Sequence, residues 1–239
     1  MPIFELSNEI WFPDPAMADP SGILAVGGDL SAQRLFKAYQ KGIFPWFNED
    51  DPIVWWSPDP RMILFPSEVK VSHSMKKILR EKKFTVTLDR DFEAVITHCK
   101  MQKRAGQKGT WITQEMLEAY LLLHEQGYAH SVEVWKDDAL AGGLYGVSLG
   151  GFFAGESMFS KTSNASKVAF ITLARILEKL QFRMLDCQIY TAHLASLGAK
   201  EISREQYLEE LERSLQQKTK KGNWGKMGEF NKLLSDINL

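Results

Sequence analysis

Apolar residues fall at helical spacing in several stretches of the chain. Leu35, Phe36 and Tyr39 share a face of a short helix, opened by Ser31 and closed near Gly42. Met75, Ile78 and Leu79 mark a second helix in SHSMKKILREKK, and Phe92, Val95, Ile96 and Cys99 mark a third. Thr113 caps a fourth, with Met116, Leu117, Tyr120 and Leu121 inward and Gly127 at its end. A fifth spans about 165–180, and Ser203 with Gln206 makes a capping box for a last one carrying Tyr207, Leu208, Leu211 and Leu215. Elsewhere the period is two. FTVTLD (84–89) alternates as a half-buried strand does. HSVEVWK, ALAGGLYGV and GGFFAGESMF read as three consecutive strands, joined by hairpin turns at Asp137-Asp138 and Gly150-Gly151. MLDCQIY is a short strand after the fifth helix.

The first 65 residues have another texture. FPDPAMADPSG, VGGD, NEDDP and SPDP are turn chemistry, and Trp11, Trp46, Trp55 and Trp56 crowd among them. We expect a small N-terminal α+β domain over 1–65 and a larger domain over 66–239. The larger one orders its elements as strand, helix, helix, three strands, helix, strand, helix. That order resembles the GNAT acyltransferase fold, a central mixed sheet flanked by helices and opened at a splayed strand pair. The fold class expected is therefore α+β with a GNAT-like second domain. CoA-dependent members carry a glycine-rich turn before the helix that follows the third long strand, where free N–H groups hold pyrophosphate. The matching stretch here, SKTSNASK, has no glycine. This speaks against a CoA cofactor.

Composition narrows the class without naming a function. The 239 residues are 44% hydrophobic and 25% charged, as in ordinary globular proteins. There is no run of 18 apolar residues and no secretory leader pattern, so a cytoplasmic protein without a membrane contact is expected. Cys99 and Cys187 form no disulfide framework and no zinc spacing, and the five histidines are scattered. No metal is expected. Net charge is −1 but uneven: residues 1–69 hold four Lys/Arg against ten Asp/Glu, whereas 70–108 hold eleven against four. Such a local basic face suits a nucleic-acid partner or a solvated helix.

Two motifs are decoys. Gly146-Val147-Ser148-Leu149-Gly150 matches the G-x-S-x-G nucleophile elbow, but a further strand follows it where the elbow needs a helix. Asn164-Ala165-Ser166 matches a glycosylation sequon without a secretory route. More telling is Glu156, a lone carboxylate in the apolar run GGFFAGESMFS. A buried carboxylate costs several kcal/mol, on the order of a lost ion pair, unless partnered.

Ten strings go beyond pattern: LAVGGDLS (24–31), YQKGIFPWF (39–47), WWSPDPR (55–61), GTWIT (109–113), HSVEVW (130–135), GGLYGVSLGG (142–151), GESMFS (155–160), NASK (164–167), LDCQ (185–188) and HLASLGA (193–199). In this order and spacing they resemble the leucyl/phenylalanyl-tRNA–protein transferases of bacteria, from about residue 3 to 210. The resemblance implies transfer of Leu or Phe, with Met as a further candidate, from aminoacyl-tRNA to proteins that begin with Arg or Lys, marking them for N-degron degradation. It implies no cofactor, because the donor ester is already activated, and a monomer. It assigns Asp186 and Gln188 to the catalytic centre, and Leu144, Phe153 and Leu173 to the amino-acid pocket. At 144 and 173 the family usually carries bulkier or softer side chains. Trp46 and Trp111 become stacking surfaces for the terminal adenosine.

Strand periodicity adds detail. Asp186 and Gln188 face one way, as do Glu156 and Met158, so adjacent strands would gather Glu156, Asp186 and Gln188 in one polar spot beside Met158. We expect Asp186 to orient the Gln188 amide, and Glu156, alone or with Asp186, to meet the acceptor's cation. Lys76, Lys77, Arg80, Lys82 and Lys83, continued by Lys100, Lys103, Arg104 and Lys108, would form a basic strip leading to Trp111 for the tRNA backbone. Two other readings stay open on residues alone: a CoA-dependent N-acyltransferase and a non-catalytic tRNA-binding module.

Overall fold

A computed structural model describes residues 3–102 and 111–237. A small sheet comprises β1 (Phe4–Leu6), β2 (Ile23–Gly27), β3 (Phe44–Pro45) and β4 (Val54–Trp56), ordered β1-β2-β4-β3. Between β2 and β3 lies α1 (Ala32–Gln40), whose Ser31 cap accepts a hydrogen bond from the Arg34 N–H. The rest of the chain runs β5 (Arg61–Leu64), α2 (His73–Arg80), β6 (Thr85–Leu88), α3 (Phe92–Met101), α4 (Gln114–Glu125), β7 (Ala129–Lys136), β8 (Ala139–Leu149) and β9 (Phe152–Ser160). It continues through α5 (Ala165–Lys179), β10 (Met184–Gln188), α6 (Ala192–Ser196), β11 (Lys200–Ile202), α7 (Arg204–Leu215) and α8 (Gly228–Ile237). The expected caps at Thr113 and Ser203 are present, the latter as a full capping box with Gln206, and Ser72 caps α2 as well.

The large sheet has seven strands in the order β11-β5-β10-β9-β8-β7-β6. All its pairs are antiparallel except β9 with β10, which are joined by the α5 crossover that a parallel pair requires. That pair matches Met184 with Phe152 and ends at Asp186 with Ala154. Beyond it β9 continues through Glu156 while β10 ends at Gln188, and the two strands no longer pair with each other. This is a mixed sheet flanked by helices and opened at one strand pair, as expected. Beyond residue 65, α6, β11 and α8 had no forecast. β5, which lies before residue 65, pairs into the large sheet between β11 and β10, so the two sheets meet across Ser57 to Pro60.

Helices cover both faces of that sheet. On one side Phe92, Val95 and Ile96 of α3 and Met116 and Tyr120 of α4 pack on Tyr145, Val147 and Phe159. On the other Met75 of α2, the apolar side of α5, Trp224 and Phe230 pack on Val132, Leu144 and Phe153. Ser148, at the centre of the elbow-like motif, is buried in β8 before the turn into β9. Its setting is strand, hairpin, strand.

A bulge changes one expectation. Tyr145 pairs with Ser157 but the next residue, Gly146, pairs with Gly155, so Glu156 is an extra residue in β9. The alternation slips there. Met158 packs with Leu144 and Phe153 on the α5 side, whereas Glu156 bonds to Tyr120 of the α4 layer. Glu156 and Met158 do not share a face. Gly146 permits this local geometry, since a Cβ there would lie 2.1 Å from the Ala154 carbonyl oxygen and 2.5 Å from the Phe153 ring. Backbone cannot yield cheaply, so Gly146→Ala is expected to lower unfolding free energy by about 2 kcal/mol or more. Urea denaturation midpoints of the two proteins check this.

Candidate active site

The site is built on the strand end of β10. Asp186 is fully buried on a central strand, where an unpaired carboxylate would be prohibitive. Arg61 of β5 answers it with a two-pronged contact, Nε to Oδ1 at 2.9 Å and Nη2 to Oδ2 at 2.6 Å. The guanidinium lies between the rings of Phe44 and Tyr207, 4.6 and 4.5 Å from their centroids, and Nη1 donates to the Gly42 carbonyl at 3.2 Å. Burial opposes the Arg61 charge, but Asp186 and Tyr207 outweigh it and hold its pKa above the ordinary value. Tyr207 of α7 also donates to Asp186 Oδ2 at 3.0 Å.

The fourth hydrogen bond to Asp186 comes from the Gln188 backbone N–H, 2.8 Å from Oδ1. Gln188 reaches it with φ of +63°, a left-handed conformation that costs a non-glycine residue about 1 kcal/mol or more. The Gln188 side chain does something else: its Nε2 donates to Glu156 Oε1 at 2.9 Å. Asp186 therefore fixes the Gln188 backbone, and Glu156 orients the amide. This corrects the expectation that Asp186 orients the amide, because Arg61 and Tyr207 occupy the Asp186 oxygens. No described residue donates to Gln188 Oε1, which leaves that acceptor for a ligand.

Glu156 closes a second chain. Tyr120 of α4 donates to Oε2 at 2.9 Å, and Tyr120 is in turn hydrogen-bonded to Tyr39 of α1. Burial pushes the Glu156 carboxyl up; the tyrosines and Arg61 pull it down, and Asp186 adds to the rise, leaving it at about 7. The two carboxylates thus differ in kind. One is locked against a cation, and the other can gain or lose a proton near neutrality.

A cavity of about 490 Å³ opens at this point and passes through the split between β9 and β10. Glu156, Asp186 and Gln188 line it on the side of α4. Leu144, Phe153, Met158 and Leu173 line its apolar part on the side of α5, where Phe170 and Leu185 join them. Trp46 and Trp111 border it as well; Trp46 is half-buried and Trp111 buried. Every expected catalytic and pocket residue is therefore in one cavity. The basic residues are not. Lys76, Lys77 and Arg80 on α2 and Lys82 and Lys83 after it are exposed, and α2 packs in the α5 layer while Trp111 packs in the layer of α3 and α4. The two do not form one strip, because the large sheet separates them; Lys103, Arg104 and Lys108 lie outside the described residues.

The residues matched by family models cover the same ground. Positions 63–212 match the leucyl/phenylalanyl-tRNA protein transferase family, and 28–59 match the N-terminal domain of that family. The chain belongs to this family. It is 58% identical to a leucyl/phenylalanyl-tRNA–protein transferase of Syntrophus aciditrophicus over 224 residues, 94% of each chain. Against the one of Flavobacterium johnsoniae it is 56% identical over 206 residues, covering 86% of this chain and 97% of the other. Membership makes it an aminoacyl-tRNA–protein transferase. Among solved structures, a GCN5-related N-acetyltransferase from Kribbella flavida aligns with 70% of this chain and 60% of its own at 8% identity and a TM-score of 0.38. No helix among the described residues is long and apolar enough to cross a membrane.

Arg61, Tyr207, Tyr39 and Tyr120 were not expected at the site. Arg61 and Tyr39 lie within the matched strings, and a carboxylate on a central strand demands a cation somewhere; that signal points to a buried Arg without saying which.

The raised Glu156 pKa has a sign that can be measured. Between about pH 4.5 and 7 the folded state holds a proton the unfolded chain releases, so stability falls as pH rises through that window. The whole shift corresponds to roughly 3 kcal/mol. Chemical denaturation of the parent from pH 5 to 8 should show this decline, and Glu156→Gln should remove most of it. An unchanged slope in the variant would place the titrating proton elsewhere.

Proposed function

We propose that the cavity through the sheet is where Leu or Phe leaves its tRNA for the α-amine of a protein beginning with Arg or Lys. The observation that carries this is the division of one cavity into two parts at the strand split. Its apolar part, walled by Leu144, Phe153, Met158 and Leu173, suits the side chain of the transferred residue. Its polar part holds an acceptor that no described residue claims, Gln188 Oε1, on an amide fixed by Glu156 through Nε2.

The reaction needs little from the protein beyond placement. The acceptor nitrogen attacks the ester carbonyl carbon, the C–N bond forms, and the bond to the ribose oxygen breaks. The amine gives up a proton and the ribose oxygen gains one. An N-terminal amine has an unperturbed pKa of about 7.7–8.0, so a neutral fraction is always present near pH 7. Gln188 Oε1 accepts a hydrogen bond from that amine and aims it. Asp186 holds the Gln188 backbone, and Arg61 keeps Asp186 from being a competing charge.

Selection of the acceptor falls to Glu156. Each of its oxygens accepts one described hydrogen bond, and a carboxylate has about four lone-pair positions. The side-chain cation of Arg or Lys would favour the ionised form of a group poised at about 7. The product would begin with Leu or Phe, a residue read as destabilising by an N-degron pathway, in the cytoplasm. Trp46 and Trp111 would stack the terminal adenosine at the rim. The α2 bases would meet phosphates of the tRNA body away from the cavity, a separate contact and not a path to Trp111.

Single-turnover transfer from Phe-tRNA tests the reading. The parent should favour an Arg-starting peptide over a neutral one, and Glu156→Gln should shrink that preference about tenfold, the worth of a charge-assisted hydrogen bond at its lower end. An intact preference in the variant would return Glu156 to a structural role. For the donor, replacing Lys76, Lys77 and Arg80 with Ala should weaken Phe-tRNA binding and flatten its salt dependence, while transfer from a phenylalanyl-adenosine donor stays near the parent's rate. Equal losses with both donors would show that the contact is not with the tRNA body.

A further inference from the structure

His193 stands in the short helix α6, five residues after Gln188, and lines the same cavity. Its Nε2 is buried and has no hydrogen-bond partner among the described residues. A buried nitrogen left unpaired costs about 1–3 kcal/mol, which a bound ligand can recover. Burial first, and then the Lys167 ammonium, lower the imidazole pKa, so the ring is neutral and one nitrogen can accept. The other polar groups of the cavity are largely claimed. Asp186 is filled by Arg61, Tyr207 and Gln188, and Glu156 holds Tyr120 and the Gln188 amide.

The donor itself shows what His193 can take. An aminoacyl ester carries its α-amine on the carbon that joins the carbonyl to the side chain. With the side chain among Leu144, Phe153 and Leu173 and the carbonyl at Gln188, that amine must sit between the apolar and polar parts. His193 lines the cavity that contains both: Leu194, next to it, packs into the α5 layer, and Gln188 precedes it by five residues.

We propose that His193 is a specificity-determining residue that accepts a hydrogen bond from the free α-amine of the aminoacyl-tRNA. This rests on the cavity being the donor site. It gives the enzyme a way to distinguish an aminoacyl ester from one whose nitrogen is already acylated, as at the end of a growing peptide. Acylation removes the basic amine and adds bulk at the point where His193 stands.

The test pairs two variants with two donors. One donor is Phe-tRNA; the other is the same tRNA acylated with 3-phenylpropanoate, which lacks only the α-amine. With the parent and an Arg-starting peptide, the amine-free donor should lose about tenfold in kcat/KM, the worth of one hydrogen bond of about 1.4 kcal/mol. His193→Ala should lose a similar factor with Phe-tRNA and almost nothing further with the amine-free donor. His193→Gln, whose amide oxygen can accept in place of the imidazole, should recover part of the Phe-tRNA rate. Equal losses with both donors in His193→Ala would overturn the inference and assign His193 to the ribose or to the fold. So would an undiminished rate with Phe-tRNA, or a parent that uses both donors equally. Any of these would leave the cavity reading standing, because that reading fails separately, if Phe153→Ala leaves the ranking of Leu and Phe donors unchanged.

Discussion

The buried pair of Arg61 and Asp186 is the contact around which the site is arranged. Removing either partner would strand a charge in the interior at a cost of about 3–5 kcal/mol, so both must be present and correctly placed. Placement draws in much of the molecule. β5 supplies Arg61 and β10 supplies Asp186, α7 brings Tyr207, and the segment after α1 contributes the Gly42 carbonyl and the Phe44 ring. The pair therefore pins the N-terminal part of the chain and the last third of it to one strand end. It also consumes Asp186. With four hydrogen bonds and a full counter-charge, that carboxylate has nothing left to offer a substrate.

That exhaustion gives Glu156 its importance. Two carboxylates close enough to feel each other cannot both be charged in a dry cleft without compensation. Arg61 is bound to Asp186 through both its oxygens, and it is Glu156 whose pKa is raised, mainly by burial and further by Asp186. The tyrosines Tyr120 and Tyr39 then hold it in place from the α4 and α1 layer. Gln188 connects the two halves, its backbone bonded to the fixed charge and its side chain to the variable one. The neutral amide is thereby held between a clamped carboxylate and a poised one.

Much of this was legible in the residues. Many helices and strands announced themselves through period and caps: Ser31, Thr113 and Ser203 all cap where the pattern puts them. The short pieces did not. α6 and β11 have five and three residues, too few for a period to show, and their place comes from contacts far along the chain. The bulge at Glu156 was equally hidden. Strict alternation joined Glu156 to Met158, and only the pairing of β8 with β9 reveals the extra residue. Arg61 was invisible for another reason. A basic residue at the end of WWSPDPR reads as ordinary surface, and the fact that Asp186 lies opposite it is a property of the sheet order. The basic strip failed similarly, since one-dimensional proximity of 76–83 to 111 does not show which layer each segment joins.

The bulge and the early end of β9–β10 pairing act together. A sheet without a break would separate the apolar layer of α5 from the polar layer of α4, and no cavity could touch both. Here β10 stops pairing with β9 at Asp186, and Glu156 is inserted into β9 just two residues past Ala154, so a gap opens where two carboxylates and an amide face apolar walls. The price is three backbone irregularities in one small region: the extra residue at 156, the register shift between Asp186 and Gln188, and the positive φ of Gln188. Irregularity of this kind persists only where the surroundings over-determine it. The Arg61 clamp and the tyrosine chain supply that determination, so the irregular stretch of the sheet is held by a dense set of side-chain hydrogen bonds.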